Sequence, residues 1–354
     1  MDLAQLERQA RERLDPAAYD YYAGGADDEL TLEDNVAAWR RLRLRYRVLR
    51  DVGKVSTATT VLGTEIPAPV IIAPTAYQRL AHDDGEAATA RGAAVVGTVM
   101  TASTLATVSL EDVAAAAPDA PRWFQIYVRR DRGWSAELVA RAAAAGYRAL
   151  VLTVDLPVLG FRRRDDRNNF SLPVGMEMAN MGSAVPRVEG SGLQAYAAAE
   201  LEPSLTFRDL EWLRSLSDLP LVIKGVVRGD DASACVAAGA AGVAVSNHGG
   251  RQLDSAIATA DALPDVVDAV AGRAEVYVDG GVRGGTDVVK ALALGARAVL
   301  VGRPVLWGLA TGGEQGVAAV LEGFTEETAR AFALCGARTV DEVTGDLLAG
   351  GPPA

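Results

Sequence analysis

From about residue 69 onward the chain alternates between two hydrophobic patterns. Short runs of consecutive apolar residues recur as "APVIIAP" (68–74), "GTVMTAS" (97–103), "RWFQIYV" (122–128), "ALVLTVD" (149–155), "PLVIKG" (220–225), "GVAVSN" (242–247), "EVYVDGG" (275–281) and "AVLVGRP" (298–304). Between them lie Ala-rich stretches of helical period, among them "EAATARGAAVVG", "SAELVARAAAAG", "DDASACVAAGA" and "TDVVKALALGA", several ending on the glycine that closes a helix. Runs without polar alternation suit strands covered on both faces, and strand–helix alternation is the pattern of a parallel sheet with helical crossovers. Eight such units predict an α/β protein, a (β/α)8 TIM barrel, with residues 1–354 forming a single domain.

Two segments fall outside this repeat. Residues 1–45, opening with the charged amphipathic "MDLAQLERQARERL", predict an N-terminal helical extension. Residues 156–205 join the fourth strand to its helix over far more than the usual loop length and are rich in Gly, Met, Asn and Ser, which predicts a partly mobile lid loop over the barrel mouth.

Active sites of such barrels form where the strands end, and here nearly every strand ends on chemically capable residues. In chain order these are Pro74, Thr75 and Ala76; Ser103; Gln125 and Tyr127; Thr153 and Asp155; Lys224; Ser246, Asn247 and His248; Asp279, Gly280 and Gly281; and Gly302 with Arg303. Buried polar groups cost free energy unless paired, so a shared site at one mouth explains them better than packing does. After strands seven and eight the chain supplies glycine pairs, Arg283 and Arg303, where barrels of this kind bind phosphate; the same glycines also serve tight turns. A GxGxxG fingerprint after the first strand and a Walker A loop are both absent, which leaves a mononucleotide or a sugar phosphate. The amide and hydroxyls of Gln125, Thr153 and Ser103 suit the edge of a pyrimidine-like ring, and Lys224 offers a cation that would stabilise an anionic reduced flavin.

Composition narrows the choice further. A formal net charge of -11 argues against a nucleic-acid partner, since no basic surplus exists to neutralise phosphates. No apolar run reaches the roughly 18 to 20 residues that span a bilayer, so no membrane partner and a cytoplasmic location are expected. Cys235 and Cys335 lack metal-ligand spacing, and no metal is expected. Of the two histidines, His82 in "LAHDDGE" precedes a helix and reads as structural; His248 in "SNHGGRQLD" stands at a strand end beside Arg251.

Seven stretches in register, "YDYYAGGADDE" (19–29), "IIAPTAYQRLAHDDGE" (71–86), "FQIYVRRDR" (124–132), "LTVDLPVLGFRRRD" (152–165), "LVIKGV" (221–226), "SNHGGRQLD" (246–254) and "DGGVRGGTDVVKALALGARAVLVGRP" (279–304), resemble the FMN-dependent α-hydroxy acid oxidases and dehydrogenases. The resemblance implies that His248 is the active-site base, oriented by Asp155. It implies further that Arg251, Arg162 and Tyr21 hold the substrate carboxylate, that Tyr127 contacts the substrate hydroxyl, and that Lys224 sits at flavin N1 and O2. Pro74, Thr75, Ala76, Ser103, Gln125, Thr153 and Ser246 are then expected along the FMN ring and ribityl chain. Asp279, Gly280, Gly281, Arg283, Gly302 and Arg303 are expected at its ribityl and phosphate end. Whether His248 takes the hydroxyl proton or the Cα proton stays open at this level. The family resemblance also implies a homotetramer.

Departures within the family bear on the substrate. Leu105 stands where the plant glycolate oxidase pattern has tryptophan, and Tyr77 replaces a usual methionine in wording similar to the 4-hydroxymandelate oxidases of peptide-antibiotic biosynthesis. The lost indole leaves room for a phenyl ring on which Tyr77 could stack, so (S)-mandelate or 4-hydroxymandelate, oxidised to the benzoylformate, is the expected substrate. Residues 171–200 lack the apolar character of a membrane insert and no haem domain is present, so O2, giving hydrogen peroxide, is the expected acceptor. Glycolate or L-lactate oxidation, a dehydrogenase, and a flavin-free phosphate-binding isomerase or lyase are the alternatives.

Overall fold

A computed structural model describes residues 1–181 and 189–350. Its barrel strands are β3 (Val70–Ile72), β4 (Met100–Ala102), β5 (Arg122–Ile126), β6 (Leu150–Thr153), β7 (Leu221–Val226), β8 (Gly242–Val245), β9 (Glu275–Val278) and β10 (Ala298–Val301). They pair in parallel and close in the order β10-β3-β4-β5-β6-β7-β8-β9, so all eight predicted strands are present and the (β/α)8 barrel is confirmed. Alternate strand residues divide between two apolar layers. Ile71, Trp123, Val151, Val222, Tyr277 and Leu300 fill the barrel interior, whereas Ile72, Phe124, Leu152, Ile223, Val243 and Val299 face the surrounding helices. This double burial is why the strands read as unbroken apolar runs.

A hairpin that the hydrophobic pattern did not announce, β1 (Thr59–Val61) and β2 (Thr64–Ile66), closes the opposite end of the barrel. Leu62 and Gly63 both take positive φ at its turn, and Val61 and Ile66 join the interior layer. The Glu275 carboxylate at the start of β9 accepts the Leu62 N–H and the Tyr277 hydroxyl.

The extension folds as α1 (Leu3–Arg13), α2 (Pro16–Ala23) and α3 (Leu30–Arg41). Barrel crossovers follow as α4 (Gly85–Val96), α5 (Leu110–Ala116) and α6 (Arg132–Ala144). The lid then carries two helices that were not predicted, α7 (Arg163–Arg167) and α8 (Gly192–Glu200), before the crossovers resume with α9 (Arg208–Ser215), α10 (Gly229–Ala237), α11 (Thr259–Val270), α12 (Gly285–Ala293) and α13 (Arg303–Cys335). Gly312 and Gly313 break α13 into two helical pieces. The lid is packed rather than loose where it is described: Phe170, Leu172, Met178, Leu193 and Tyr196 are all buried. Residues 182–188 of the predicted lid lie outside the described residues. Among the described residues no helix is long and apolar enough to cross a membrane.

The extension is keyed into the mouth of the barrel. Asn35 of α3 and Asn247 after β8 exchange two amide hydrogen bonds of 2.8 Å, and Trp39 donates its indole N–H to Gly280 O at 2.8 Å. Gly250 takes φ 77, and a Cβ there would lie 2.6 Å from the Leu32 backbone, so α3 and this loop meet at glycine distance.

Candidate active site

His248 sits just past β8 at φ 59, a left-handed conformation that costs a non-glycine residue of order 1–3 kcal/mol and persists only where its surroundings enforce it. Here the Ser246 hydroxyl accepts the His248 N–H at 3.1 Å, and the imidazole Nδ1 lies 2.7 Å from Asp155 Oδ1. With Nδ1–H donated to the carboxylate, Nε2 is left as the acceptor facing the cavity, 3.5 Å from the Tyr127 hydroxyl. Asp155 has its place because residue 225 is glycine: at φ 108, a Cβ on Gly225 would lie 2.6 Å from the Asp155 Cβ.

Burial depresses the His248 pKa below the ordinary value of about 6.5, and Lys224 adds to the depression, outweighing the upward pull of Asp155. The imidazole is therefore a neutral base at neutral pH. Burial works against an ionised Asp155, but the His248 ring that donates to it and the Lys224 charge overcome it and hold the carboxyl below its usual range. Burial likewise opposes the Lys224 ammonium, yet Asp279 and Asp155 raise its pKa, so it stays charged. Its Nζ lies 3.3 Å from Asp279 Oδ2 and donates to Ser246 Oγ at 2.9 Å. Desolvation pushes the Tyr127 phenol well up, which keeps it neutral.

Two guanidiniums converge beside this base. Arg251 donates to the carbonyls of Tyr21 and Gly24 at 2.5 and 2.9 Å and lies 4.9 Å from the centre of the Tyr21 ring. Arg162, buried at the start of the lid, donates to Arg251 O at 3.2 Å. Burial, followed by the Arg251 charge, lowers its pKa to about 10. Its nearest carboxylate oxygen, on Asp165, is 3.9 Å away, too far for a hydrogen bond. Two adjacent cations bound mainly to carbonyls favour an anion between them, and a carboxylate suits their paired planar donors.

A second cationic end lies past β9 and β10. Arg303 donates to the carbonyls of Tyr22, Gly249 and Gly24 at 2.9, 3.0 and 3.0 Å, while Arg283 donates to Val282 O at 3.0 Å. Burial lowers the pKa of both. Neither pairs with a carboxylate among the described residues, and the first turns of α12 and α13 adjoin them, an arrangement suited to a phosphate.

The structure brings nearly all predicted site residues to one cavity. Its wall includes Pro74, Thr75, Ala76, Ser103, Gln125 and Thr153 along one stretch, Asp279, Gly280, Gly281, Arg283, Gly302 and Arg303 along another, and Tyr21, Leu105, Tyr127, Arg162, Lys224, His248 and Arg251 around the reacting centre. Ser246, expected on the wall, stands one layer back and supports Lys224 and His248. Tyr77 corrects the sequence reading: fully buried behind the wall at φ 59, it packs on Tyr21 and Phe170, with its hydroxyl 3.6 Å from Met178 Sδ, and cannot stack on a substrate. The pattern missed Tyr22, Leu156, Leu159, Leu193, Tyr196, Ala197 and Leu201 of the wall. For the lid helix a signal did exist, since Leu193, Tyr196 and Ala197 are spaced to share one helical face. His82 is structural, as expected, with Nδ1 accepting the Asp84 N–H at 3.2 Å.

The donors fit FMN. Gln125 accepts from Ser103 and from Thr104 N through Oε1, while its buried Nε2 lacks a partner, and Asp279 Oδ1 is likewise unpaired. Such orphaned buried groups are costly, and the ring carbonyl and ribityl hydroxyls of FMN would supply the complements. Lys224 would provide a cation for the negative charge of a reduced flavin ring, and Arg283 and Arg303 would answer its phosphate.

Residues 10–350 match the model of the family described as FMN-dependent dehydrogenase. The chain is 52% identical to the L-lactate oxidase of Nostoc sp. across 98% of both chains. It is 48% identical to human 2-hydroxyacid oxidase 1, covering 98% of this chain and 96% of that one. A solved structure of mandelate oxidase with (S)-4-hydroxymandelic acid is 45% identical, covers 98% of each chain and superposes with a TM-score of 0.94. The chain belongs to the FMN-dependent dehydrogenase family, as an FMN-dependent 2-hydroxy acid oxidase.

Proposed function

We propose that the enzyme oxidises an (S)-2-hydroxy acid bearing an aryl group, (S)-mandelate or its 4-hydroxy derivative, to the 2-oxo acid, with O2 taking up two electrons and two protons as hydrogen peroxide. The observation that carries this is the cavity wall beside the base. Arg162 and Arg251 receive the carboxylate, and the carbinol lies between His248 Nε2 and Tyr127. The third substituent is then left to Leu105, Leu156, Leu159, Leu193, Ala197 and Leu201, an apolar surface suited to a ring. FMN, when bound, supplies the two-electron acceptor. His248 Nε2 accepts a proton as the carbinol carbon is oxidised, Asp155 stabilises the imidazolium, and the guanidinium pair fixes which face of the substrate is presented. The neutral Tyr127 hydroxyl can donate to the substrate oxygen.

The likeness to a mandelate oxidase structure holding (S)-4-hydroxymandelic acid supports this reading, and the 52% identity to an L-lactate oxidase favours lactate as the second. Anaerobic mixing of the yellow holoenzyme with single enantiomers of mandelate, 4-hydroxymandelate, lactate and glycolate separates them. The (S)-mandelates are expected to bleach the flavin fastest, and air to restore it with peroxide formed. Faster bleaching by lactate or glycolate would overturn the aryl assignment.

A further inference from the structure

Tyr196 is the polar side chain in the otherwise apolar stretch of wall that Leu193, Ala197 and Leu201 build from the lid. Tyr196 of α8 lines the cavity and is only 6% exposed, and its hydroxyl is buried without a hydrogen-bond partner among the described residues. A buried unpaired hydroxyl is destabilising, and a phenylalanine of nearly the same shape would avoid the cost. The charged neighbour of Tyr196, Arg129, does not satisfy the hydroxyl: the guanidinium pairs with Glu200 through a terminal nitrogen and lies 4.6 Å from the Trp134 ring centre, and its buried Nε is, like the hydroxyl, without a hydrogen-bond partner among the described residues. Nor is the helix free to swing the hydroxyl to solvent. At its C-terminal side Arg130 N–H donates to Glu200 O at 3.1 Å and Glu202 N–H donates to Val128 O at 3.1 Å; at its N-terminal side Gly192 N–H donates to Phe170 O at 3.0 Å. The pinned helix thus fixes the Tyr196 side chain in the stretch of wall that also carries Leu193, Ala197 and Leu201. Burial raises the phenol pKa to about 12 against the pull of Arg129, so the group keeps its proton at working pH.

We propose that Tyr196 is a specificity-determining residue: its hydroxyl hydrogen-bonds a polar group at the far end of the substrate, the 4-hydroxyl of an aryl 2-hydroxy acid. This rests on the aryl reading and sharpens it, since the apolar wall accepts any phenyl ring while Tyr196 distinguishes a hydroxylated one. Discrimination arises because the unsubstituted or alkylated ring leaves the buried hydroxyl unpaired.

The test compares wild-type and Tyr196→Phe holoenzymes on (S)-4-hydroxymandelate and (S)-4-methylmandelate, which match in shape but differ in hydrogen bonding. The ratio of kcat/KM for the hydroxyl over the methyl substrate is expected to fall about tenfold in the variant. An unchanged ratio, including one in which both substrates slow equally, would overturn the assignment. A wild-type enzyme that oxidises lactate and neither mandelate would sink the aryl reading instead. Tyr196 is then judged by titrating 4-hydroxybenzoylformate against the oxidised holoenzyme, following flavin absorbance: about tenfold weaker binding to Tyr196→Phe sustains the role, and equal binding ends it.

Discussion

At one end of the cavity Arg283 and Arg303 line the wall past β9 and β10; at the other Arg162 and Arg251 lie beside His248. Both pairs are largely buried cations held by backbone carbonyls, with no carboxylate in hydrogen-bond contact among the described residues. They differ in what carries them. The first pair leaves neighbouring barrel strands at the first turns of α12 and α13, although Arg303 is also tied to the Tyr22, Gly24 and Gly249 carbonyls. The second is assembled from the lid and the β8 loop and leans on α2 of the extension, all of them departures from the repeat. One pair is thus carried mainly by the repeat and the other mainly by departures from it, with the Gly24 carbonyl shared between Arg251 and Arg303.

This contrast can be broken experimentally. Arg251→Met is expected to lower kcat/KM by about 10²–10³-fold, through loss of a buried charged contact, while the protein still purifies yellow. Loss of flavin in that variant would erase the distinction between the two ends. Arg283→Met should do the converse: FMN dissociation, followed by ultrafiltration, becomes roughly 10- to 100-fold easier, whereas turnover per bound flavin stays near the wild-type value. Gly225→Ala tests the support of the base, because its Cβ collides with Asp155; kcat should drop about tenfold or more with substrate affinity little altered, and a normal kcat would show that the Asp155 contact is dispensable. The smallest effect concerns pH. The base works in its neutral form, so activity is lost as pH falls through the His248 pKa, and since burial depresses that pKa the acid limb of kcat/KM should lie below about pH 6.5. A limb above that value would mean that the Asp155 charge, rather than burial, dominates the imidazole.

The barrel was legible because its strands are apolar on both faces and end on polar residues. The hairpin at 59–66 was not, since its turn is Leu62-Gly63 rather than the Asn-Gly or Asp-Gly pair that marks a two-residue turn, and each arm has three residues. In the lid, "GLQAYAAAE" is a good helix former without a strong polar face, so the loop-like composition around it masked α8. The roles of His248, Asp155, Lys224 and the arginines came through the motif resemblance, and the geometry assembles them. Tyr77 failed for a conformational reason: its side chain packs into the core from a left-handed turn position, and neighbouring residues in sequence do not reveal that direction.

Gly24 O receives a hydrogen bond from Arg251 and another from Arg303, across 227 and 279 residues of chain. On a ribosome the extension emerges first, yet its acceptors must wait until the eighth barrel strand has been made. Each of the two guanidiniums therefore reaches its acceptor only through a closure of more than two hundred residues. Long-range closures of this kind are slow, and until they occur the nascent chain has a partly built barrel but no working pocket.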